Sequence, residues 1–173
     1  MKIAITGHTS GLGKSLSEVF PDYLGFSRSN GFDLHFADKR AEMISQIGDC
    51  DVFINNSPIG WNQTSLLYEL WAEWQDKARI IINVGSTASD YNHPYPRPYT
   101  MHKKALEGAS LQLQQSNKPC KVLLIKPGYI DTPRVDSIDA IKMNSDELAK
   151  FIKMLVEQKY LTFWIPTITI YPK

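Results

Sequence analysis

Thr6-Gly7-His8-Thr9-Ser10-Gly11-Leu12-Gly13 decides the fold of this chain. It follows directly on the apolar run Lys2-Ile3-Ala4-Ile5 and leads into residues 11–20, where Leu12, Leu16, Val19 and Phe20 share one helical face. A strand that passes through a glycine-rich turn into a helix delivers backbone N–H groups to a helix N-terminus, which is an anion cradle. The glycines permit the tight turn, let the backbone approach a pyrophosphate and let the helix lie close on the strand. With 10 Gly in 173 residues, three at this fixed spacing arise by chance about 0.03 times. The spacing is GxxxGxG rather than GxGxxG, and the absence of GxxxxGK[ST] disfavours a nucleotide triphosphatase. Gly7, Thr9, Ser10, Gly11, Leu12 and Gly13 are therefore expected to hold a dinucleotide.

Outward from this turn the chain alternates. Apolar runs without polar alternation at 2–6, 23–27, 51–55, 79–84, 121–126 and 167–171 read as strands covered on both faces. Between them lie helical segments. One spans about 37–48; one spans 63–77, with Leu66, Leu67, Leu70, Trp71 and Trp74 on one face; a third spans about 98–116. The last helix has the clearest start, with Asn144 as N-cap, Glu147 three residues on, then Leu148, Phe151, Ile152 and Leu155 at helical spacing. The reading is α/β: a Rossmann-type doubly wound parallel sheet of six strands in one dinucleotide-binding domain, residues 1–173. Such a sheet binds ligands at the carboxyl ends of its strands.

Composition narrows the function. Net charge is +1, from 19 Lys plus Arg against 18 Asp plus Glu, without a basic run, so sequence-independent nucleic-acid binding is not expected. No apolar stretch approaches the roughly 18 residues of a membrane span. The N-terminus turns to glycine too soon for a signal peptide, which points to the cytoplasm. Cys50 and Cys120 form no CxxC and have no zinc-ligand set around them; they read as buried hydrophobes, and no metal is expected.

Together these features resemble the short-chain dehydrogenase/reductase family, whose glycine motif is TGxxxGxG. Five further places carry the resemblance. Ser27-Arg28 ends the second strand where NADP-preferring members have a basic residue for the 2′-phosphate, which implies NADP(H). Asp33-Leu34 matches the Asp-hydrophobic pair beside the adenine. Asn55-Asn56-Ser57 stands where the family has NNAG, with Pro58 in place of the glycine. Pro127-Gly128-Tyr129-Ile130-Asp131-Thr132 resembles the PGxxxT segment that lines the nicotinamide. The resemblance thus implies cofactor contacts at Ser27, Arg28, Asp33, Leu34, Asn56, Ser57, Pro127, Gly128, Ile130 and Thr132.

The fifth place is the catalytic set. Tyr99-Thr100-Met101-His102-Lys103 is a YxxxK, which alone arises by chance roughly 0.65 times in such a chain. Here it opens a predicted helix, so Tyr99 and Lys103 share a face, and Ser86 follows a strand end upstream. A carbonyl accepting hydride develops negative charge on oxygen and needs a proton donor and a hydrogen-bond partner there. By the resemblance Tyr99 donates, Ser86 holds the oxygen, and Lys103 supplies a cation that stabilises a phenolate and bonds the nicotinamide ribose. For the family's fourth member, an asparagine, Asn62 is the nearest residue: either a proton-relay group or an N-cap.

The chain also departs from the family. The five residues Arg28 to Phe32 cannot house a parallel crossover, so the usual third strand and its helix are expected to be missing. The segment after Asn56 is cut short, and the substrate lid shrinks to about 132–144. The loop from Asp90 to Pro98 is aromatic and proline-stiffened, with Arg97 or His93 as candidates for an acidic substrate group or as plain surface. The expected function is an NADP(H)-dependent oxidoreductase interconverting a small carbonyl compound and its alcohol; the alternative is a non-catalytic NADP(H)-binding regulatory or scaffold protein. Leu66, Leu70, Trp71 and Trp74 exceed what one side of a sheet needs, and Ala105, Gly108 and Ala109 permit close helix approach, so a homodimer or homotetramer is expected.

Overall fold

Among the described residues, six strands form one all-parallel sheet in the order β2-β1-β3-β4-β5-β6. They are β1 (Ile3–Thr6), β2 (Tyr23–Phe26), β3 (Val52–Asn55), β4 (Ile80–Val84), β5 (Lys121–Pro127) and β6 (Thr167–Ile170). The helices between them are α1 (Gly11–Val19), α2 (Ala37–Gln46), α3 (Asn62–Trp74), α4 (Pro98–Gln114) and α5 (Ser145–Glu157). This computed structural model describes residues 1–157 and 163–173. Every expected strand is present, each within one residue of its expected ends.

The lack of alternation in the strands has a direct cause: both faces are covered. Ile3 and Ile5 of β1, Val52 and Ile54 of β3, Ile82 and Val84 of β4, and Leu123 and Ile125 of β5 face one core with Leu12 and Leu16 of α1 and Leu148 and Ile152 of α5. The intervening Ala4, Phe53, Ile81 and Val122 face the other core, built with Met43 of α2, Leu66, Leu67, Leu70 and Trp74 of α3, and Leu106 of α4. Successive strand residues point to opposite faces, so a doubly covered strand must be apolar at every position. Cys50 and Cys120 are free thiols buried in the second core, and burial pushes Cys120 up to about 12.

The sheet's β2 edge is where the chain is shortened. Residues 27–36 make a 3₁₀ turn at Arg28–Asn30 and a loop, then enter α2, and β2 is left as the edge strand. Asn30 finishes that edge: its Nδ2 donates to the Gly25 carbonyl at 2.7 Å and its Oδ1 accepts from the Ser27 N–H at 2.8 Å. Asn144 behaves as expected at α5, its Oδ1 accepting from the N–H groups of Asp146 and Glu147 at 2.8 and 3.1 Å.

One premise drawn from the sequence fails. Leu66 and Leu70 are 0% exposed, Trp74 is 1% and Trp71 is 9%. That face is consumed inside the chain, because α3 lies over the centre of the sheet with α2 and α4 beside it. It is not available for a partner copy.

Candidate active site

The glycine turn sits at the carboxyl end of β1 and is built from close approaches of backbone. Gly7 and Gly11 have φ of +67° and +51°, a region that favours glycine. A Cβ on Gly13 would lie 1.9 Å from the Gly7 carbonyl oxygen, so α1 can start this near β1 only because position 13 has no side chain. Ser10 is the N-cap of α1 but makes no side-chain cap bond, which leaves its hydroxyl and the first N–H groups of the helix for an anion. Asn56 and Ser57 brace the turn from β3. The Thr6 hydroxyl accepts from both of their N–H groups at 3.0 Å, and Asn56 Nδ2 donates to the Thr6 carbonyl at 3.0 Å.

Other residues expected to touch the cofactor come to the same edge in different ways. Thr132 arrives from beyond β5, its Cγ2 3.0 Å from where a Cβ on Gly11 would stand. Pro127 ends β5, and Gly128 donates its N–H to the Ile170 carbonyl at 2.9 Å. Ile130 makes an isolated parallel bridge with Met143, so residues 131–142, most of the segment of about 132–144 expected to form the short lid, loop out between them. Ser27 is the N-cap of the 3₁₀ turn that carries the exposed Arg28. The Asp33 carboxylate accepts from His35 Nδ1 at 2.8 Å, and His35 with nearby Arg28 holds it below the usual carboxylate range. Leu34, by contrast, is 2% exposed, its side chain packed into the core and its carbonyl accepting from Arg40 Nη1 at 3.1 Å.

The expected catalytic set lies at the end of β4. Ser86 caps a 3₁₀ turn at Thr87–Asp90, its Oγ accepting from the Ala88 N–H at 3.1 Å. An accepting hydroxyl keeps its own hydrogen for another partner. Tyr99 stands in the first turn of α4, half exposed, and the Nζ of Lys103 lies 5.7 Å from the centre of its ring. Lys103 itself is 3% exposed. Burial, reinforced by Arg134, lowers its amine to about 7.

Two features escaped the sequence. Lys103 Nζ donates to Gln63 Oε1 at 2.9 Å and to the Val84 carbonyl at 2.8 Å. Gln63, not Asn62, is thus the α3 residue beside the lysine. Asn62 is the first residue of α3, Trp61 being the N-cap, and its Oδ1 accepts from Arg40 Nη1 at 3.3 Å instead. A signal for Gln63 existed: it precedes Leu66, Leu67, Leu70 and Trp74 at helical spacing, a polar residue on an apolar face. The second feature is Lys126 of β5, which pairs with Asp90 and, at 2.7 Å, with Glu107, tying the Ser86 turn to α4. Burial opposes its charge, but the two carboxylates prevail and raise its amine above the usual lysine value.

No family model and no curated protein matches the sequence. Solved structures do match. One is a short-chain dehydrogenase from Burkholderia cenocepacia in complex with NADP, at 17% identity and TM-score 0.78, covering 98% of this chain and 87% of that one. Another is a short-chain dehydrogenase/reductase from Vibrio parahaemolyticus, at 17% identity and TM-score 0.79, covering 99% of both chains. A third is a 3-alpha-hydroxysteroid dehydrogenase from Pseudomonas, complexed with NADH, at 16% identity and TM-score 0.79, covering 99% of this chain and 94% of that one. The chain has the fold of the short-chain dehydrogenase/reductases.

Proposed function

We propose that this protein is an NADP(H)-dependent oxidoreductase that interconverts a small carbonyl compound and its alcohol. The observation that carries the reading is the convergence on one sheet edge of a backbone anion cradle at the end of β1 and of Ser86, Tyr99 and Lys103 at the end of β4. Similar folds complexed with NADP support the cofactor. Within the chain, so does Arg28, an exposed guanidinium beyond β2 with no acidic residue at that strand's end.

The turn from Gly7 to Gly13 receives the pyrophosphate on the N–H groups of α1, and Arg28 with Ser27 receives the 2′-phosphate. When bound, the reduced cofactor supplies hydride to the carbonyl carbon. Ser86 donates its hydroxyl hydrogen to the carbonyl oxygen and orients it. Tyr99 gives its phenolic proton to that oxygen as charge develops on it. Lys103, when protonated, stabilises the phenolate left behind and offers an N–H to the cofactor ribose. The small lid, about residues 132–144, encloses little of the substrate, which favours a small one.

The test is Tyr99→Phe, which removes one hydroxyl and keeps the ring. Against a panel of aldehydes and ketones with NADPH, turnover is expected to fall by at least ~10²-fold while NADPH affinity holds. Full activity in the variant would exclude the mechanism. Tight NADPH binding with no turnover on any carbonyl would favour the non-catalytic, cofactor-binding alternative.

A further inference from the structure

Lys103 is a buried amine whose surroundings are mostly apolar or committed elsewhere. Its two acceptors, Gln63 Oε1 and the Val84 carbonyl, come from α3 and β4. The Gln63 amide has one possible orientation. Its Nε2 donates to the Asn55 carbonyl at 2.8 Å and to the Val84 carbonyl at 3.3 Å, so Oε1 must face the lysine. Asn55 fixes the glutamine backbone in return, Nδ2 donating to the Gln63 carbonyl at 3.0 Å. The same Asn55 Nδ2 reaches Asn83 Oδ1, and Asn83 Nδ2 reaches Ser110 Oγ on α4, each at 3.0 Å. A polar chain thus runs from β3 through β4 to α4 beneath the site.

We propose that Gln63 is a positioning residue for Lys103: its locked amide holds Nζ against the end of β4 and leaves one ammonium N–H for a bound molecule. The proposal rests on the reading of Lys103 as a member of the reacting set. An ammonium has three donors, and two are taken by Gln63 and Val84. A neutral amide suits this place: it accepts from the ammonium without neutralising the charge that Tyr99 uses. The other ionisable groups around the lysine leave this contact alone. Arg134, on the 3₁₀ turn Pro133–Val135 beyond β5, opposes the charge; Tyr99 presents its ring; His102 faces Trp61; Asp90 and Glu107 are held by Lys126.

The experiment is a pH titration of the ligand-free chain with ¹³Cε-labelled lysine, the Lys103 signal being identified by its loss in Lys103→Arg. Gln63→Glu places a carboxylate where Oε1 now accepts, and should raise the Lys103 midpoint by at least about one pH unit while leaving Lys126 unmoved. An unshifted Lys103 midpoint overturns the proposal. If that variant does not fold, the unmutated protein decides: the Gln63 side-chain amide signal should move with the Lys103 midpoint, and a flat signal overturns it. No cofactor or substrate enters these titrations, so a failure to bind NADPH would break the functional reading and leave this contact standing. Where NADPH does bind, Gln63→Leu should weaken it about tenfold, and an unaltered Kd would overturn the positioning role.

Discussion

The carboxyl ends of β1 and β4 face the same edge of the sheet, yet they are made by opposite means. The β1 end is backbone: two glycines at positive φ, a third with no room for a Cβ, and uncapped helix N–H groups, all within eight consecutive residues. The β4 end is side chains gathered from afar. Ser86 follows the strand, Tyr99 and Lys103 come from α4, and Gln63 comes from α3, forty positions from the lysine it holds. A backbone site tolerates changes of side chain wherever the chain stays free to turn, and breaks where a Cβ intrudes. A side-chain site depends on packing between elements, and each member can fail separately.

The largest effect expected from this contrast is at Gly13. Gly13→Ala drives a methyl into the Gly7 carbonyl, against backbone that has nowhere to shift. NADPH affinity should fall by at least ~100-fold with a clear drop in Tm, read by fluorescence titration and thermal melting. Normal binding would show that the cradle is looser than its geometry. Next, Lys103→Ala should cross the divide between the two regions, cutting turnover by ~10²-fold and weakening NADPH about tenfold; Ser86→Ala should slow turnover alone. A lysine variant with unchanged NADPH Kd would sever the link.

Arg28→Ala is a smaller change at the cradle's outer end. Loss of a charge-assisted contact should reduce the preference for NADPH over NADH about tenfold, measured as the ratio of the two Kd values. Equal affinities in the unmutated protein would remove the phosphate role altogether.

The smallest effect concerns pH. Lys103 titrates at about 7 when folded and near the ordinary lysine value of 10.5 when unfolded. Between those values the unfolded chain holds a proton that the folded chain lacks, so stability rises with pH, by at most about 1.4 kcal/mol per unit. Cys120, raised to about 12, acts in the opposite sense above its ordinary value of 9.0, so the useful window is about pH 7 to 8.5. Urea unfolding across that window should show a rise that Lys103→Met lacks; identical slopes would contradict the buried, lowered lysine.

Assembly follows the same division. With Leu66, Leu70, Trp71 and Trp74 buried, a homodimer paired through α3 and α4 would use what these helices leave outside: Tyr68, Met101 and Leu111, beside Gly108 with open space over it. Light scattering at micromolar concentration tests this; a monomeric mass excludes it.

By itself the sequence determined what is local. An unbroken apolar run announces a strand covered on both faces, a glycine spacing announces a backbone cradle, and Asn144 with Glu147 announces where α5 begins, because each signal is carried by neighbours in the chain. A deficit of length is local too, so the missing strand between Ser27 and Asp33 could be read from five residues. Tertiary structure decided how the faces are shared. Periodicity puts Leu66, Leu70 and Trp74 on one stripe and Asp33 beside Leu34 in a turn. It does not say that the stripe would be spent within the chain or that Leu34 would drop into the core. Spacing put Gln63 on the apolar stripe of α3 and Asn62 off it, but could not say which group either would meet. Adjacent helical positions differ by about 100° in direction, and only the docking of α3 between α2 and α4 turned Asn62 toward Arg40 and Gln63 toward Lys103.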